Sequence, residues 1–516
     1  MTRDARPRFD PWLGIALAIG LGLRLLYFTS PYADAHRWRQ LENLSIAWNF
    51  AHGSMNPFYP QAIWGGLQDA YVEMEFPVVP YMLAVAWRLF GEHDLYGRVI
   101  AIVSSLVLIA AVYALGRQLF SRETARGATL LMAISPTAVF FGRVPMTDTP
   151  MIACSTLAVL GYAKYFDTGS RAWAIGAAAA AMGAWLLKVP ALLILGPIVI
   201  IGWQARGWRV LIDPLFVGGL AIAFLGMTAW YLHALRLYQS TGWTVGIWHP
   251  AGQHPAWIGT PGTPSAWSLW STRELLLSAE FYKRLIDRAY WIHFTPIGLG
   301  GALFGAVEAC RRPRGLVVLT WTAAALAFTV VVGTGNFWHE YYQLPLIPPV
   351  ALLFGLGAGT LFHWPEDSSA RWSDALANGA RVLIILVMAS AAFYYSSALR
   401  TLFRSENPDL LAIEAGEVMK THVPPGDAVI TLEYAQGPNS PVLLYYMRHR
   451  GWSFDTLTIS REVIERLKAK GATHFATTEF SVIESKAPEM AEYLRTMREV
   501  PLGDRAPADA KLFELH

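Results

Sequence analysis

Apolar runs bounded by Arg or Lys recur along most of the chain, at roughly 12–28, 95–116, 127–142, 149–165, 172–187, 189–204, 211–232, 291–310, 315–334, 342–362 and 381–399. A hydrocarbon core of ~30 Å needs ~20 apolar helical residues to cross it, so the pattern predicts about eleven transmembrane helices. The stretch 30–94 after the first run is mixed. Within it Leu41, Leu44, Trp48 and Ala51 recur at helical spacing, and the run from Phe76 to Phe90 is too short to span. Both are expected as interfacial helices, with one apolar face of 41–51 buried in the membrane. A second long loop, 233–290, begins rich in Gly, Pro, His and Trp, and from Glu274 to Ile292 its pattern predicts a helix. From about 401 the apolar runs shorten and charge rises. Strands are expected at 428–432, 474–477 and 511–515, and helices at 410–421, 442–449, 461–470 and 489–497, which makes a small α/β domain.

The basic residues orient this plan. Arg3, Arg6 and Arg8 precede the first run and place the N-terminus in the cytoplasm. Ala33-Asp34-Ala35 mimics a signal-peptide cleavage site, but the apolar run is longer than a signal core of ~7 to 15 residues and more spans follow it. Arg24, near the outer end of the first span, is expected to snorkel to the interface. The loops holding Arg117, Arg122 and Arg126, then Lys164 and Arg171, Arg206 and Arg209, Arg311, Arg312 and Arg314, and Arg371 and Arg381 are all basic, whereas 143–148 and 333–341 carry only Arg143. An odd number of spans leaves the tail outside the cytoplasm. The same topology gathers Asp34, Glu73, Glu75, Asp148, Lys188, His339 and Glu340 at the extracytoplasmic face.

Composition agrees: of 516 residues, 54% are hydrophobic and only 15% charged, which excludes an ordinary soluble globule. The net charge of +3 is spread over short loops, so no nucleic-acid partner is expected. Cys154 and Cys310 each lie in an apolar run, which argues against a disulfide framework or thiolate metal site. There is no phosphate loop, no GxGxxG after a strand, no HExxH and no pair of aspartates separated by one residue. An enzyme on the outer face would need an activated donor from outside the cytoplasmic nucleotide pool, and such donors are lipid-linked. Five Trp residues between Trp243 and Trp270 suit either stacking on sugar rings and head groups or an aromatic belt.

One short span, a large first loop with an early aspartate (Asp34), Glu75-Phe76-Pro77 ahead of Pro80, and Met146-x-Asp148-Thr149-Pro150-Met151 together resemble the GT-C membrane glycosyltransferases. The likeness is greatest to the bacterial branch related to protein O-mannosyltransferases and the lipid A aminoarabinose transferase. Leu187-Lys188-Val189-Pro190 is similar to the family's Lys-Gly-Pro segment, and His339-Glu340-Tyr341-Tyr342-Gln343-Leu344-Pro345 to its late x-Tyr-x-Leu-Pro segment. The resemblance covers roughly 10–400 in plan. It departs from the family at Ala35, where an Asp-Glu pair is common, so that role would fall to Glu73, to Glu75 or to no residue.

The span pattern and the resemblance together lead to an expected all-α polytopic membrane domain of GT-C type over 1–400, in the cell inner membrane with the active site on the periplasmic side, and the tail pattern and span count to an extracytoplasmic α/β domain over 401–516. It also implies a polyprenyl-phosphate-linked sugar donor, inversion at the anomeric carbon, and a glycan, lipid or protein acceptor. Attack by an acceptor hydroxyl needs a base, and Asp34 is the candidate, with Asp148 as partner and Glu75 and Glu73 as further catalytic candidates. The departing phosphate needs cations and donors, for which Lys188, Arg143 and His339 are candidates, then Arg37 and Arg39. Glu340 and Tyr342 are added as substrate-binding residues, with a belt role the alternative for Tyr342 as for Trp38 and Tyr341. No cofactor is required, although a divalent cation (Mg or Mn) held by Asp34 and Asp148 stays open. Each residue has a plainer role available: Asp34 as a helix cap, Asp148 as an N-cap before Pro150, Lys188 as a snorkelling side chain. The functional alternative is a transporter or lipid flippase, for which internal repeats and charges in span interiors would be expected.

Overall fold

Helices form where the apolar runs lie, and proline and polar residues decide where they break. A computed structural model describes residues 10–68, 70–260, 269–363, 407–433, 437–455 and 458–515, with isolated positions between 379 and 403. Among the described residues, four helical segments are long and apolar enough to cross a membrane: Leu95–Leu119, Val189–Ile212, Pro214–Thr241 and Glu340–Leu361. Shorter apolar helices are Pro11–Arg24 (α1), Val78–Phe90 (α3), Arg171–Leu187 (α8), Thr295–Cys310 and Gly315–Val331. The run expected at 127–142 is two helices, Arg122–Ile134 (α5) and Pro136–Phe141 (α6). Pro136 has no N–H to continue α5, and Ser135 before it takes ψ 125°. The span expected at 381–399 falls almost entirely outside the described residues.

The chain divides into two compact units. A helix unit comprises 1–28, 98–228 and 269–402, and a loop unit comprises 29–97, 229–268 and 403–516.

In the helix unit Arg24 is completely buried rather than snorkelling. Its guanidinium donates to Ser105 Oγ (2.6 Å) and to the carbonyls of Gly20, Ala133 and Ala138 at 3.0 to 3.1 Å. The break at Ser135–Pro136 helps explain why: the stop inside the bundle leaves the Ala133 carbonyl near the end of α5 without an intrahelical partner, and a five-donor side chain satisfies it. At the other end of α1, Asp10 caps the helix at Trp12 N (3.2 Å) and pairs with Arg122 and Arg126 at 2.8 and 3.0 Å.

In the loop unit the tail builds a five-stranded sheet of order β2-β1-β3-β5-β4 from β1 (Ala428–Leu432), β2 (Gly451–Phe454), β3 (Ala472–Thr477), β4 (Arg498–Glu499) and β5 (Lys511–Glu514). The three strands expected from sequence are β1, β3 and β5. The Gly451–Phe454 strand is too short to show alternation, and it runs parallel to β1 in the register Ile430↔Trp452. Its outer edge is occupied by the first loop: Gly451 N donates to Ile63 O (3.0 Å) and Gly66 N to Gly451 O (2.8 Å). An unpaired edge would offer its backbone groups to other chains, and this pairing covers it. Gly66 is required there, because its φ is +94° and a Cβ would lie 2.7 Å from the Trp452 ring.

Helix α2 (Arg37–His52) differs from expectation. Leu41 and Leu44 are buried, but so are Gln40, Glu42, Asn43, Ser45 and Asn49. Protein therefore packs around several of its faces, and it does not lie on the membrane by a single apolar stripe.

Candidate active site

The helix unit assembles one charged cluster from three of the segments singled out in the sequence. Asp148 opens the helix Asp148–Thr168 (α7), where Thr149 Oγ1 donates to Phe141 O at 2.7 Å and fixes the turn into it. Lys188 caps the C-terminus of α8 in an extended conformation, and Pro190 lies at the start of the 3-10 turn that follows. Its Nζ lies 2.7 Å from Asp148 Oδ1, with both side chains under a tenth exposed. The ammonium also stands 4.7 Å from the ring centre of Tyr341 and 5.0 Å from that of Tyr342, a two-ring cation–π arrangement. His339 stacks on Tyr341 with ring centres 5.1 Å apart. Asp148, Lys188, Tyr341, Tyr342 and His339 therefore adjoin, and Glu340 begins the turn that carries the tyrosines. Asp148 Oδ2 is buried and has no hydrogen-bond partner among the described residues. A buried acceptor without a donor costs about 1 to 3 kcal/mol, which a substrate hydroxyl or water would offset.

Arg143 is elsewhere in the same unit. It is fully buried and donates to Leu26 O (3.0 Å) and Tyr27 O (2.7 Å), where Arg98 also binds Tyr27 O and Phe28 O. Tyr27 has φ 54°, so the chain leaves α1 abruptly and its last carbonyls turn toward the two arginines. Gln343, from the same segment as the tyrosines, bonds His293 Nε2 (2.9 Å), and the other ring nitrogen meets Thr137 Oγ1 (2.9 Å). His293 and Thr137 carry no local sequence signal that would have joined them to that motif.

The loop unit holds the remaining candidates. Asp34 is 2% exposed in the turn before α2. Its Oδ1 accepts Gln40 Nε2 (2.7 Å) and its carbonyl accepts Arg37 N (3.1 Å), while His36 takes the left-handed φ of 58° that starts the helix at Arg37. Arg39 Nη2 reaches both oxygens of Glu75 at 2.9 Å. Glu73 has no exposed surface, and its oxygens accept Trp248 N (2.7 Å) and His249 Nδ1 (2.8 Å). The backbone of Glu73 also pairs with Trp243 O and Val245 N at 3.0 Å, so this carboxylate ties the long loop to the first loop. Of the loop tryptophans, Trp243 is buried against Trp64 with ring centres 5.3 Å apart, Trp248, Trp257 and Trp270 are exposed, and Trp267 lies outside the described residues.

Glu42 was not visible as a site residue in the sequence, because it falls off the apolar stripe of α2 and reads as solvated. It is 1% exposed and accepts Trp64 Nε1 at 2.9 Å, while its other oxygen is buried without a hydrogen-bond partner among the described residues. Burial pushes its carboxyl up to about 7, against the opposing effects of the Trp64 hydrogen bond and the Arg39 charge, and Glu75 adds to the rise.

For a metal, the described residues contain no group of three or more His, Cys, Asp or Glu side chains. Asp148, one of the two carboxylates considered for it, already has the Lys188 ammonium on one oxygen. The ammonium therefore competes with a divalent cation for that carboxylate.

Residues 75–233 match the family described as Dolichyl-phosphate-mannose-protein mannosyltransferase. No curated protein matches the chain by sequence. Among solved structures, ArnT from Cupriavidus metallidurans bound to undecaprenyl phosphate is similar with a TM-score of 0.65 and 13% identity over 98% of each chain. The same protein in the apo state gives 0.63 and 14%, again over 98% of each. The archaeal oligosaccharyltransferase AglB from Archaeoglobus fulgidus, in complex with an inhibitory peptide and a dolichol-phosphate, gives 0.62 and 10% over 93% of this chain and 70% of its own. At such identities the likeness establishes the fold, which extends over nearly the whole chain. The matched segment, and a fold shared with ArnT and AglB over nearly the whole chain, occur together with four helical segments that are long and apolar enough to cross a membrane among the described residues.

Proposed function

We propose that the chain transfers a sugar from a polyprenyl-phosphate-linked donor to an acceptor hydroxyl on a glycan, lipid or protein, with inversion, at the periplasmic face of the inner membrane. The acceptor oxygen attacks the anomeric carbon as the bond from that carbon to the phosphate oxygen breaks, and the hydroxyl proton passes to Asp34. The bonding electrons leave with the lipid phosphate. Inversion follows from a single displacement.

The observation that carries this reading is the Asp148–Lys188 pair beneath Tyr341 and Tyr342: a desolvated ammonium with an orphaned carboxylate oxygen beside it. Lys188 would meet the developing phosphate charge in a low-dielectric setting, where fixed cations stabilise it most. Asp148 Oδ2 would accept a hydroxyl of the donor sugar or the acceptor. The undecaprenyl phosphate bound to ArnT and the dolichol-phosphate in the AglB complex support a lipid phosphate here. Gln40 orients Asp34 by donating Nε2 to its Oδ1. Glu75 and Glu73 take lesser parts, one paired with Arg39 and the other tying the loops.

The test is sugar transfer from a synthetic polyprenyl phosphate donor by the purified protein and its Asp34→Asn variant. The variant is expected to lose ~10²- to 10⁴-fold in kcat, the usual worth of a general base. An unchanged rate removes Asp34 as base, and transport of a lipid-linked sugar without any transfer would instead support the flippase alternative. Chelation with EDTA is expected to leave the rate unaltered, and a loss restored by Mg or Mn would return a metal to the site.

A further inference from the structure

The loop unit contains a cleft of about 170 Å³ lined by Asn49, Ser54, Asn56, Tyr59, Gln61 and Tyr71. None of the residues just described as candidate catalytic or phosphate-binding groups lines it. Its walls are built rather than incidental. Gln61 and Tyr71 face each other across a short antiparallel bridge, held on either side by Ala62 N to Ala70 O and Val72 N to Pro60 O, both 3.0 Å. Asn49 forms a fixed point: its Nδ2 donates to Gln61 O (2.8 Å) and its Oδ1 accepts Arg450 Nε (2.8 Å). Arginine can only donate, so the orientation of that amide is set. Tyr59 is 43% exposed, with its ring held edge-on to Tyr71 at 5.2 Å and to His233 at 5.4 Å.

The chemistry of the lining is specific. It has no carboxylate and no cation, but it carries three side-chain amides, two phenols and a hydroxyl. Asn56 Oδ1 is used by Phe58 N (3.1 Å). Its amide nitrogen, and the side-chain polar groups of Ser54, Tyr59, Gln61 and Tyr71, have no hydrogen-bond partner among the described residues. Amides pair with the adjacent hydroxyls of a sugar, donating to one oxygen and accepting from the next, and a tyrosine face covers the ring's C–H surface. The lining itself supplies no charged group, and the neighbouring Arg450 directs its Nε to Asn49 Oδ1. The volume admits a small ligand only, well under the ~300 to 1,000 Å³ of pockets that enclose drug-sized molecules.

We propose that this cleft is a subsite for one neutral sugar ring, belonging to the saccharide that accepts the transferred residue. The acceptor role rests on the transferase reading above, whereas binding of a neutral sugar does not.

Saturation-transfer NMR on the purified full chain in detergent, with glucose, galactose, mannose and N-acetylglucosamine as separate probes, tests the binding. At least one sugar is expected to receive saturation, to lose it in Tyr59→Ala and to keep it in Tyr59→Phe, with inorganic phosphate failing to compete. Thermal melting of each variant controls for folding, which the exposure of Tyr59 should spare. Absence of saturation for all four sugars, or equal saturation in Tyr59→Ala, overturns the proposal. In transfer assays Tyr59→Ala is expected to raise the acceptor KM about tenfold with kcat retained, the effect of losing one aromatic contact. An unchanged KM with both a lipid-linked and a soluble saccharide acceptor overturns the acceptor role, and a change with only one of them identifies the source. Sugar binding in a protein without transfer activity would refute the transferase reading and leave the cleft standing.

Discussion

Asp148 in the helix unit and Glu42 in the loop unit are almost equally buried, at 2% and 1% exposed, but one meets a cation and the other an indole. Asp148 has the Lys188 ammonium at 2.7 Å, and two tyrosine rings accompany that charge. Glu42 has Trp64 as its hydrogen-bond donor and shares the single Arg39 with Glu75, which takes both short contacts. Two acids to one cation leaves a carboxyl that burial drives toward its neutral form. The contrast separates two uses of buried acid: a charge pair poised beside an orphaned acceptor, and a protonatable group packed into a helix interior.

Four substitutions would sharpen or break that contrast. Lys188→Ala leaves Asp148 buried without its counter-charge and removes the proposed phosphate contact, so kcat is expected to fall ~10²- to 10³-fold, comparable to loss of one preorganised stabilising group. Retention of activity would reduce the pair to a structural role. Arg39→Ala leaves Glu75 and Glu42 together without their shared cation, and a loss of about 3 kcal/mol in denaturation free energy is expected at pH 7. A loss below ~1 kcal/mol would mean the pair behaves as an exposed one.

Glu42→Gln should act in the opposite direction. With burial raising the folded carboxyl to about 7 from its ordinary 4.5, the folded chain keeps a proton between those pH values that the unfolded chain has released. That contribution to stability is full below pH 4.5, declines as pH rises toward 7, and is absent above it. The glutamine cannot ionise, so at pH 8 the variant is expected to be more stable by ~3 kcal/mol, at about 1.4 kcal/mol per pH unit of displacement. Thermal melts from pH 5 to 8 check it, and a parallel pH dependence in both proteins would refute the neutral Glu42. The smallest effect is expected from Tyr341→Leu, which removes one ring from Lys188. A loss of ~1 to 2 kcal/mol in donor affinity, or up to about thirtyfold in Kd, would reflect the cation–π term for a desolvated ammonium. No change would leave Tyr342 and Asp148 as its sufficient partners.

Much of the fold was legible in the chain because burial in lipid and in a parallel sheet both need runs of apolar residues. Leu95–Leu119 and Pro214–Thr241 announce themselves by length, and β1 by the run Ala-Val-Ile-Thr-Leu. Strand β2 was missed because Gly-Trp-Ser-Phe owes its conformation to β1 on one side and the first loop on the other. The snorkelling expected of Arg24 failed for a related reason. Side-chain pattern shows that an arginine sits in an apolar helix, but not that neighbouring helix ends turn their carbonyls toward it.

The candidate site divides along the same line. Lys188, Asp148 and the Tyr341–Tyr342 pair were recognisable because proline and threonine beside them form short motifs, and the structure sets them against one another. Neither Glu42 nor the cleft around Asn49 and Tyr59 could be read that way.

By itself the sequence determined the membrane character of the chain, the segments that become helices, the break in composition near 401, and the residue types available for transfer chemistry. Those properties are local, since hydropathy, charge and proline act within a few residues. Tertiary structure alone decided which carboxylates meet cations, which are driven neutral, and which loops cover a sheet edge. These depend on desolvation and on distances between groups remote in the chain: Lys188 and Asp148 lie 40 residues apart yet approach to 2.7 Å.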